Sequence, residues 1–180
     1  MIPSRGHSAL RRGRWSSPFA EYLVSFCTRD RCPGLEQPDL TGAMLRHFDS
    51  LAKEGAGEIR TGVVMPDHIH LLACLNEDGD LAAVVRRCKG PLMPLLRERG
   101  FGWQAGYHDH RLRPDDEVLP VFLYIFLNPY RAGLAHAGER WPGYRCCDED
   151  WAWFEELTDS GHAFPEWLER WDGRARGVGA

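Results

Sequence analysis

Apolar residues recur along this chain in two patterns, one typical of strands and one typical of helices. Residues 20–28, AEYLVSFCT, are rich in aromatic and branched side chains and predict a buried first strand. After a Cys-Pro-Gly break, residues 39–53 predict an amphipathic helix that Gly55 and Gly57 end. The helical spacing is carried by Leu40, Met44, Phe48 and Leu51.

The next two apolar segments predict a pair of strands. Residues 58–65 and 68–75 are separated by a connection too short for a crossover, so we expect the strands to pair in antiparallel fashion. Because side chains alternate between the two faces of a strand, His68 and His70 are expected on one face and Ile69 on the other. Two imidazoles on one face can bind a shared cation.

A second helix and a fourth strand follow. The turn that ends at Asp80 can cap a helix over 81–90, and Pro91 and Pro94 then predict a kink or two short helices. Residues 102–113 alternate well enough to predict a strand.

The last strongly apolar run is predicted to be helical. Asp115 or Asp116 can cap it, and Pro120 then falls in the first turn, where its missing N–H is least costly. We expect the helix to end near Asn128, because a residue that precedes a proline is disfavoured in helical geometry. Periodicity alone would also allow a strand here, so the helix prediction depends on the cap and on the order of elements.

The order strand, helix, strand, strand, helix, strand predicts an α+β protein with a ferredoxin-like (βαββαβ) antiparallel sheet. Helices are expected to cover one face of the sheet, and the other face can be open to a ligand. A C-terminal helix and an acidic, Trp-rich tail follow. The predicted organisation is a basic arm over 1–14, a main domain over 15–135 and an extension over 136–180.

Composition is consistent with a globular protein of this size. The chain has 180 residues, of which 43% are hydrophobic and 27% charged. No stretch approaches the ~20 apolar residues of a membrane span, and the N-terminus lacks the apolar segment of a secretory signal, so we expect a cytoplasmic protein without membrane contact. The six cysteines form no C-x-x-C pair, which suits reduced thiols better than a zinc site or a disulfide framework.

The net charge of −4 conceals an uneven distribution. The first fourteen residues contain four arginines and no acid, as arms that bind phosphate often do, although such an arm can also serve solubility alone. Residues 148–172 contain nine acids and one arginine. This tail can pack as an extra helical cover, shield a site as a DNA mimic, or bind a partner. The chain from residue 141 onward is also rich in tryptophan, with Trp141, Trp151, Trp153, Trp167 and Trp171.

Two separated motifs together resemble the single-tyrosine HUH transposases (IS200-like), most closely the REP-associated tyrosine transposases. The first is His68-Ile69-His70 after Met65-Pro66-Asp67; the second is Tyr124-Ile125-x-x-Asn128-Pro129-x-Arg131, preceded by Trp103-Gln104 and Tyr107-His108-Asp109-His110. In a helix, Tyr124 and Asn128 share a face. The resemblance covers about residues 15–135, and the presence of both motifs in order makes it specific.

The resemblance implies a metal-dependent nuclease and strand-transfer enzyme that acts on single-stranded or hairpin DNA. By family analogy, His68 and His70 bind one Mg²⁺ or Mn²⁺, Asn128 is the third ligand, and Tyr124 attacks the scissile phosphate to form a 5′-phosphotyrosyl intermediate. The alternatives are ordinary roles in the core or at a helix end. Both monomers and homodimers occur among such enzymes.

Further basic residues are candidates for contacts with DNA phosphates, with simple solvent exposure as the alternative. They are Arg11, Arg12, Arg14, Arg86, Arg87, Lys89 and Arg131. His108 and His110 form a second H-x-H motif and a rival metal site. Two other functions stay open: a domesticated protein that binds structured DNA without cleavage, and a metal hydrolase without a covalent intermediate.

Overall fold

A five-stranded antiparallel sheet in the order β4-β1-β3-β2-β5 forms the centre of the computed structural model. The structure describes residues 18–51, 57–77, 79–113, 118–136 and 139–159. The strands are β1 (Glu21–Cys27), β2 (Gly57–Val64), β3 (His68–Leu75), β4 (His108–Arg111) and β5 (Tyr144–Arg145). The helices are α1 (Pro38–Leu51), α2 (Leu81–Lys89), α3 (Met93–Glu98), α4 (Val118–Arg131) and α5 (Asp148–Asp159).

The predicted α+β, ferredoxin-like plan is confirmed, and β5 extends it at one edge. β3 lies between β1 and β2 and pairs with both in antiparallel fashion, as the short connection at Pro66 and Asp67 predicts. Pro91 and Pro94 do separate two short helices, α2 and α3. Asp80 caps α2 by accepting a hydrogen bond from the Ala82 backbone N–H at 3.0 Å.

Two hydrophobic cores lie on opposite faces of the sheet. The first core is formed by α1, α2 and α3 against one face, where Phe26, Phe48 and Ile69 are almost fully buried. The second core is formed by α4, β5 and α5 against the other face, with Phe126 and Phe154 at its centre. The face that we expected to be open is therefore covered over much of its area. Of the three alternatives for the acidic segment, the described part forms a helical cover.

The fourth strand is shorter than predicted. Residues 102–113 were expected to be extended throughout, but only His108–Arg111 pairs with β1, and Trp103 makes an isolated bridge with Thr28. Gly106 lies between these two points with φ of +82°, a left-handed conformation that interrupts a strand. The segment therefore turns at Gly106 before β4 begins.

Helix α4 is longer than predicted, because it continues through Pro129 to Arg131 instead of ending near Asn128. Pro129 and Tyr130 are both buried in or beside the second core. Burying these side chains requires another helical turn, and this tertiary gain outweighs the local preference against helix before proline. Pro120 lies in the first turn of α4, as expected, whereas Asp115 and Asp116 lie outside the described residues.

None of the described helices is long and apolar enough to cross a membrane.

Candidate active site

Strand β3 brings His68 and His70 together on the face of the sheet that carries the second core. Their ring centroids are 4.8 Å apart, and the rings are nearly perpendicular. Ile69, between them, is fully buried in the first core on the opposite face. The expectation that the two imidazoles share a face is therefore confirmed. His70 is buried, at 7% exposure, and His68 is half-buried.

Each imidazole has a neighbour at its Nδ1 atom. The Ser25 hydroxyl on β1 lies 2.5 Å from Nδ1 of His70, its cross-strand partner. A carboxylate oxygen of Asp67 lies 2.6 Å from Nδ1 of His68. With both Nδ1 atoms engaged, Nε2 is the remaining coordinating atom of each ring.

Burial favours the neutral form of both histidines by lowering the pKa of each ring. Desolvation is the main cause that lowers the pKa of His70 well below its usual value, and the charges of His68 and Arg31 act in the same direction. Desolvation also lowers the pKa of His68, although the hydrogen bond and charge of Asp67 oppose it. A neutral imidazole has the lone pair that a cation requires.

Helix α4 brings Tyr124 onto this pair. The phenol oxygen of Tyr124 lies 3.5 Å from Nε2 of His70, and the two rings meet edge to face with centroids 5.0 Å apart. Tyr124 is half-buried, so one side of its ring packs beside the second core. The sequence places these residues 54 positions apart, and the packing of α4 on the sheet joins them.

Asn128 lies one helical turn after Tyr124, and its side-chain amide is oriented by the helix itself. Its Nδ2 donates a hydrogen bond of 2.7 Å to the Tyr124 carbonyl oxygen. Since a carbonyl oxygen can only accept, the amide NH₂ must face it, and the orientation of the oxygen Oδ1 is thereby fixed.

These side chains fit a divalent cation chemically. Neutral imidazole nitrogens suit Mn²⁺ better than Mg²⁺, and an amide oxygen suits both ions. Among the described residues, no group of three or more His, Cys, Asp or Glu is arranged to hold a metal ion.

The rival pair His108 and His110 lies on edge strand β4. Ser25 is the cross-strand partner of both His70 and His108, so two strand spacings separate these two histidines, about 10 Å. Both residues of the rival pair are exposed. The structure places them on the same sheet face as His70 but does not join the two pairs into one site.

The predicted DNA-binding arginines fall into three groups. Arg86 and Arg87 are exposed on α2, which packs on the face of the sheet opposite His70. Arg131 is exposed at the end of α4. The third group, Arg11, Arg12 and Arg14, lies outside the described residues.

Lys89, the remaining candidate, is engaged within the fold. Its ammonium group donates to the Gln104 and Gly106 carbonyls at 2.9 and 2.8 Å and lies over the Phe26 and Trp103 rings. Burial lowers the pKa of Lys89, and the neighbouring Cys27 opposes this shift. These contacts give Lys89 a structural role, whatever its relation to DNA.

Two aromatic side chains in or beside the sequence motifs, Trp103 and Tyr130, are buried. Trp103 belongs to the first core and donates its indole N–H to the Lys89 carbonyl at 3.1 Å. Tyr130 belongs to the second core and donates its hydroxyl to the Glu139 carbonyl. Burial raises the pKa of Tyr130 to about 12, which is consistent with a packing role for this phenol.

Sequence reasoning missed the residues that hold the histidines. Asp67 precedes His68 directly, so its proximity was readable from the sequence, but its contact with the ring depends on the geometry of the turn. Ser25 carries no local signal. It becomes a neighbour of His70 only through the register of β1 on β3.

Comparison with known proteins adds a family to this geometry. The family model described as "Transposase IS200 like" matches residues 19–110. Among curated proteins, the chain is 29% identical over 94 residues to a putative REP-associated tyrosine transposase of Haemophilus influenzae, which covers 44% of the chain and 53% of that protein. The chain is also 28% identical over 101 residues to the REP-associated tyrosine transposase of Escherichia coli, which covers 55% of the chain and 61% of that protein. The chain thus spans less than two thirds of each of these relatives.

A solved structure confirms the fold. The chain superposes on a REP-associated tyrosine transposase bound to a REP hairpin with a TM-score of 0.58 and 24% identity, covering 68% of this chain and 73% of that one. At this identity the likeness concerns the arrangement of strands and helices.

Proposed function

This chain belongs to the IS200-like transposase family, and on that premise we propose that it is a metal-dependent nuclease and strand-transferase for single-stranded DNA at a hairpin or repeat. Tyr124 is the nucleophile, and His68, His70 and Asn128 hold the metal. The observation that carries the proposal is the 3.5 Å approach of the Tyr124 oxygen to Nε2 of His70. A phosphate beside a cation on that nitrogen would lie within reach of the phenol.

The reaction exchanges one phosphodiester for another. The Tyr124 oxygen loses its proton and bonds to the scissile phosphorus, while the bond from phosphorus to the 3′ oxygen breaks. The leaving oxygen takes up a proton and becomes a free 3′-OH, and the DNA on the other side stays attached as a 5′-phosphotyrosine. Because one ester replaces another, a 3′-OH can reverse the step and join strands without ATP.

Each residue has a defined part in this step. Burial favours the neutral form of His68 and His70 by lowering the pKa of each ring, and their Nε2 atoms are the proposed ligands. Asn128 is oriented by the same helix turn that carries the nucleophile. A bound Mg²⁺ or Mn²⁺ would polarise the phosphate and stabilise the charge that develops on its oxygens. An ordinary phenol is mostly protonated at neutral pH, so Tyr124 has to lose its proton as it attacks.

β3 and α4 of the same molecule supply every proposed group. We therefore expect Tyr124 to act on DNA held by the histidines of its own chain.

The test is a covalent adduct. The protein is incubated with single-stranded hairpin oligonucleotides from the DNA flanking its own gene, with Mn²⁺, and resolved on a denaturing gel. We expect a shifted protein–DNA band when the label is on the 3′ side of the cut, and its loss with EDTA or in Tyr124→Phe. Tyr107→Phe, a half-buried tyrosine before β4, is the matched control and should keep the adduct.

The other outcomes identify other functions. Cleavage that persists in Tyr124→Phe with no bound DNA would indicate a hydrolase without a covalent step. Tight hairpin binding without cleavage, in the presence of bound Mn²⁺, would indicate a binding protein. Either result contradicts the proposal.

A further inference from the structure

The turn before β3 places a carboxylate against one of the two histidines. Oδ1 of Asp67 lies 2.6 Å from Nδ1 of His68, and both side chains are largely shielded from solvent. Desolvation raises the pKa of Asp67, but the hydrogen bond and charge of His68, together with Arg31, outweigh it and lower the pKa overall. An ionised carboxylate can only accept hydrogen bonds, so the proton of a neutral His68 ring must be on Nδ1.

Asp67 is itself held in place. Its second oxygen, Oδ2, accepts a hydrogen bond from the Arg31 guanidinium at 3.2 Å. With one oxygen on the guanidinium and the other on the imidazole, rotation of the carboxylate would break both contacts. The three side chains form a continuous series from Arg31 through Asp67 to His68.

The loop that carries Arg31 has a strained backbone. Asp30 and Arg31 both adopt left-handed conformations, with φ of +57° and +54°, which are unfavourable for residues other than glycine. Such strain persists only where the surrounding structure over-determines it.

Hydrogen bonds to the Pro66–Asp67 turn hold this loop. The Asp67 carbonyl accepts from the backbone N–H of Thr28 at 2.9 Å. The Thr28 hydroxyl can donate to this carbonyl or to that of Cys32, at 3.0 and 2.8 Å. The Pro66 carbonyl accepts from the backbone N–H groups of Gly34 and Leu35, each at 2.9 Å. The loop and the turn therefore form one unit, with Arg31 positioned over Asp67.

We propose that Asp67, held by Arg31, is a positioning residue that fixes His68 in the Nδ1–H tautomer, so that Nε2 is always available to the metal. The inference deepens the proposed function and rests on it for the role of His68. His70 differs, because the Ser25 hydroxyl at its Nδ1 can donate as well as accept and does not select a tautomer by itself. Asp67 is thus the group that removes one of the two ring tautomers from the site.

The tautomer can be read directly in the metal-free protein. Long-range ¹H–¹⁵N correlation spectra at a pH where histidine is neutral report which ring nitrogen carries the proton, and a His68→Asn variant assigns the signals. We expect wild-type His68 to be protonated at Nδ1. Asp67→Ala should release the ring to a mixture of tautomers. In Asp67→Asn the single amide oxygen can accept from Arg31 while the NH₂ donates to Nδ1 of His68, so the ring proton should shift to Nε2.

Arg31→Ala and Asp30→Asn complete the series. Arg31→Ala should leave His68 mostly Nδ1–H but broaden its signals, since Asp67 loses one of its two anchors. Asp30→Asn removes a neighbouring exposed charge and leaves the contacts among Arg31, Asp67 and His68 in place, so its His68 signals should match wild type. A wild-type ring protonated at Nε2, or an unchanged tautomer in a folded Asp67→Ala, would overturn the proposal.

A metal titration separates this inference from the proposed function. By calorimetry, Asp67→Ala should bind Mn²⁺ about 10–100-fold more weakly than wild type, the range found for partners of metal-bound histidines. Asp67→Asn should not recover this loss, because its NH₂ can donate to Nδ1 and leave the ring proton on Nε2. If wild-type His68 is protonated at Nδ1 but the protein forms no DNA adduct, the nuclease proposal is contradicted and the positioning role of Asp67 is retained. Equal Mn²⁺ affinity in Asp67→Ala and wild type would contradict the positioning role even if the nuclease is active.

Discussion

The phenol oxygen of Tyr124 lies 3.5 Å from Nε2 of His70, although the two residues belong to a helix and a strand that are distant in sequence. The contact exists because α4 packs across the sheet face that carries the histidines. It joins the candidate nucleophile and a candidate metal ligand in one chain.

Loss of the Asn128 amide should weaken metal binding. Asn128→Ala removes the proposed oxygen ligand and the hydrogen bond to the Tyr124 carbonyl. We expect Mn²⁺ affinity, measured by calorimetry, to fall at least about tenfold, and the free energy of unfolding to fall by about 1 kcal/mol. Gln104→Ala, which removes an exposed amide elsewhere, is the control. Unchanged Mn²⁺ affinity in Asn128→Ala would exclude this residue as a ligand.

The buried histidines should make the metal-free protein less stable in acid. The pKa of His70 is lowered in the folded state, mainly by burial, so below the usual value of 6.5 the unfolded chain binds more protons than the folded one. The contribution of His70 to the free energy of unfolding is therefore fully present above pH 6.5. It is lost as the pH falls from 6.5 towards the pKa of His70 in the folded protein. Over one pH unit the loss is about 1 kcal/mol for this group.

Urea denaturation at about pH 7.5 and about pH 5.5 measures this loss. His70→Asn should show a smaller loss of unfolding free energy between the two pH values than wild type. His110→Asn, at an exposed position on β4, should keep the wild-type difference. An equal loss in wild type and His70→Asn would show that the acid sensitivity has another source.

Much of the site was predictable because it depends on short-range rules. Alternation along β3 places His68 and His70 on one face, and a helical repeat places Tyr124 and Asn128 on another. Periodicity and the proline break at 91–94 also gave the element order. Each of these inferences uses only residues that are close in sequence.

The parts that could not be predicted depend on tertiary packing. Helix α4 continues through Pro129 because Pro129 and Tyr130 are buried by other elements, a gain that no local propensity reports. β5 has only two residues and exists because it pairs with Gly62 and Val63. The contact of Ser25 with His70 likewise follows from strand register, which a single sequence does not specify.

Helix α5 should contribute strongly to stability. Phe154 is fully buried, and its ring lies 4.8 Å from that of Phe126 on α4, centroid to centroid. Phe154→Ala should lower the free energy of unfolding in urea by about 3–5 kcal/mol, through lost burial and the cavity left behind. Ala152→Ser, at an exposed position of the same helix, should change it little. A loss below about 1 kcal/mol for Phe154→Ala would contradict the packing of α5 on α4.

Lys89 and Arg86 lie on one helix and should respond differently to substitution. Lys89 donates to two carbonyls of the 104–106 segment, whereas Arg86 is exposed and its guanidinium lies 3.8 Å from the Asp80 carboxylate. Lys89→Met keeps most of the aliphatic length but leaves both carbonyls without this donor. It should lower the unfolding free energy by about 1–3 kcal/mol, while Arg86→Ala should stay within about 0.5 kcal/mol of wild type.

Measuring the affinity for hairpin DNA at several salt concentrations then distinguishes a residue that stabilises the fold from one that contacts a DNA phosphate. If Arg86 contacts a phosphate, Arg86→Ala should reduce the salt dependence of binding by about one unit of slope at unchanged stability. If Lys89 acts only within the fold, Lys89→Met should keep the wild-type slope at temperatures where it is fully folded. A reduced slope in folded Lys89→Met would assign this ammonium group to DNA as well. That result would require the contacts with Gln104 and Gly106 to open on binding, since they use the same donor hydrogens.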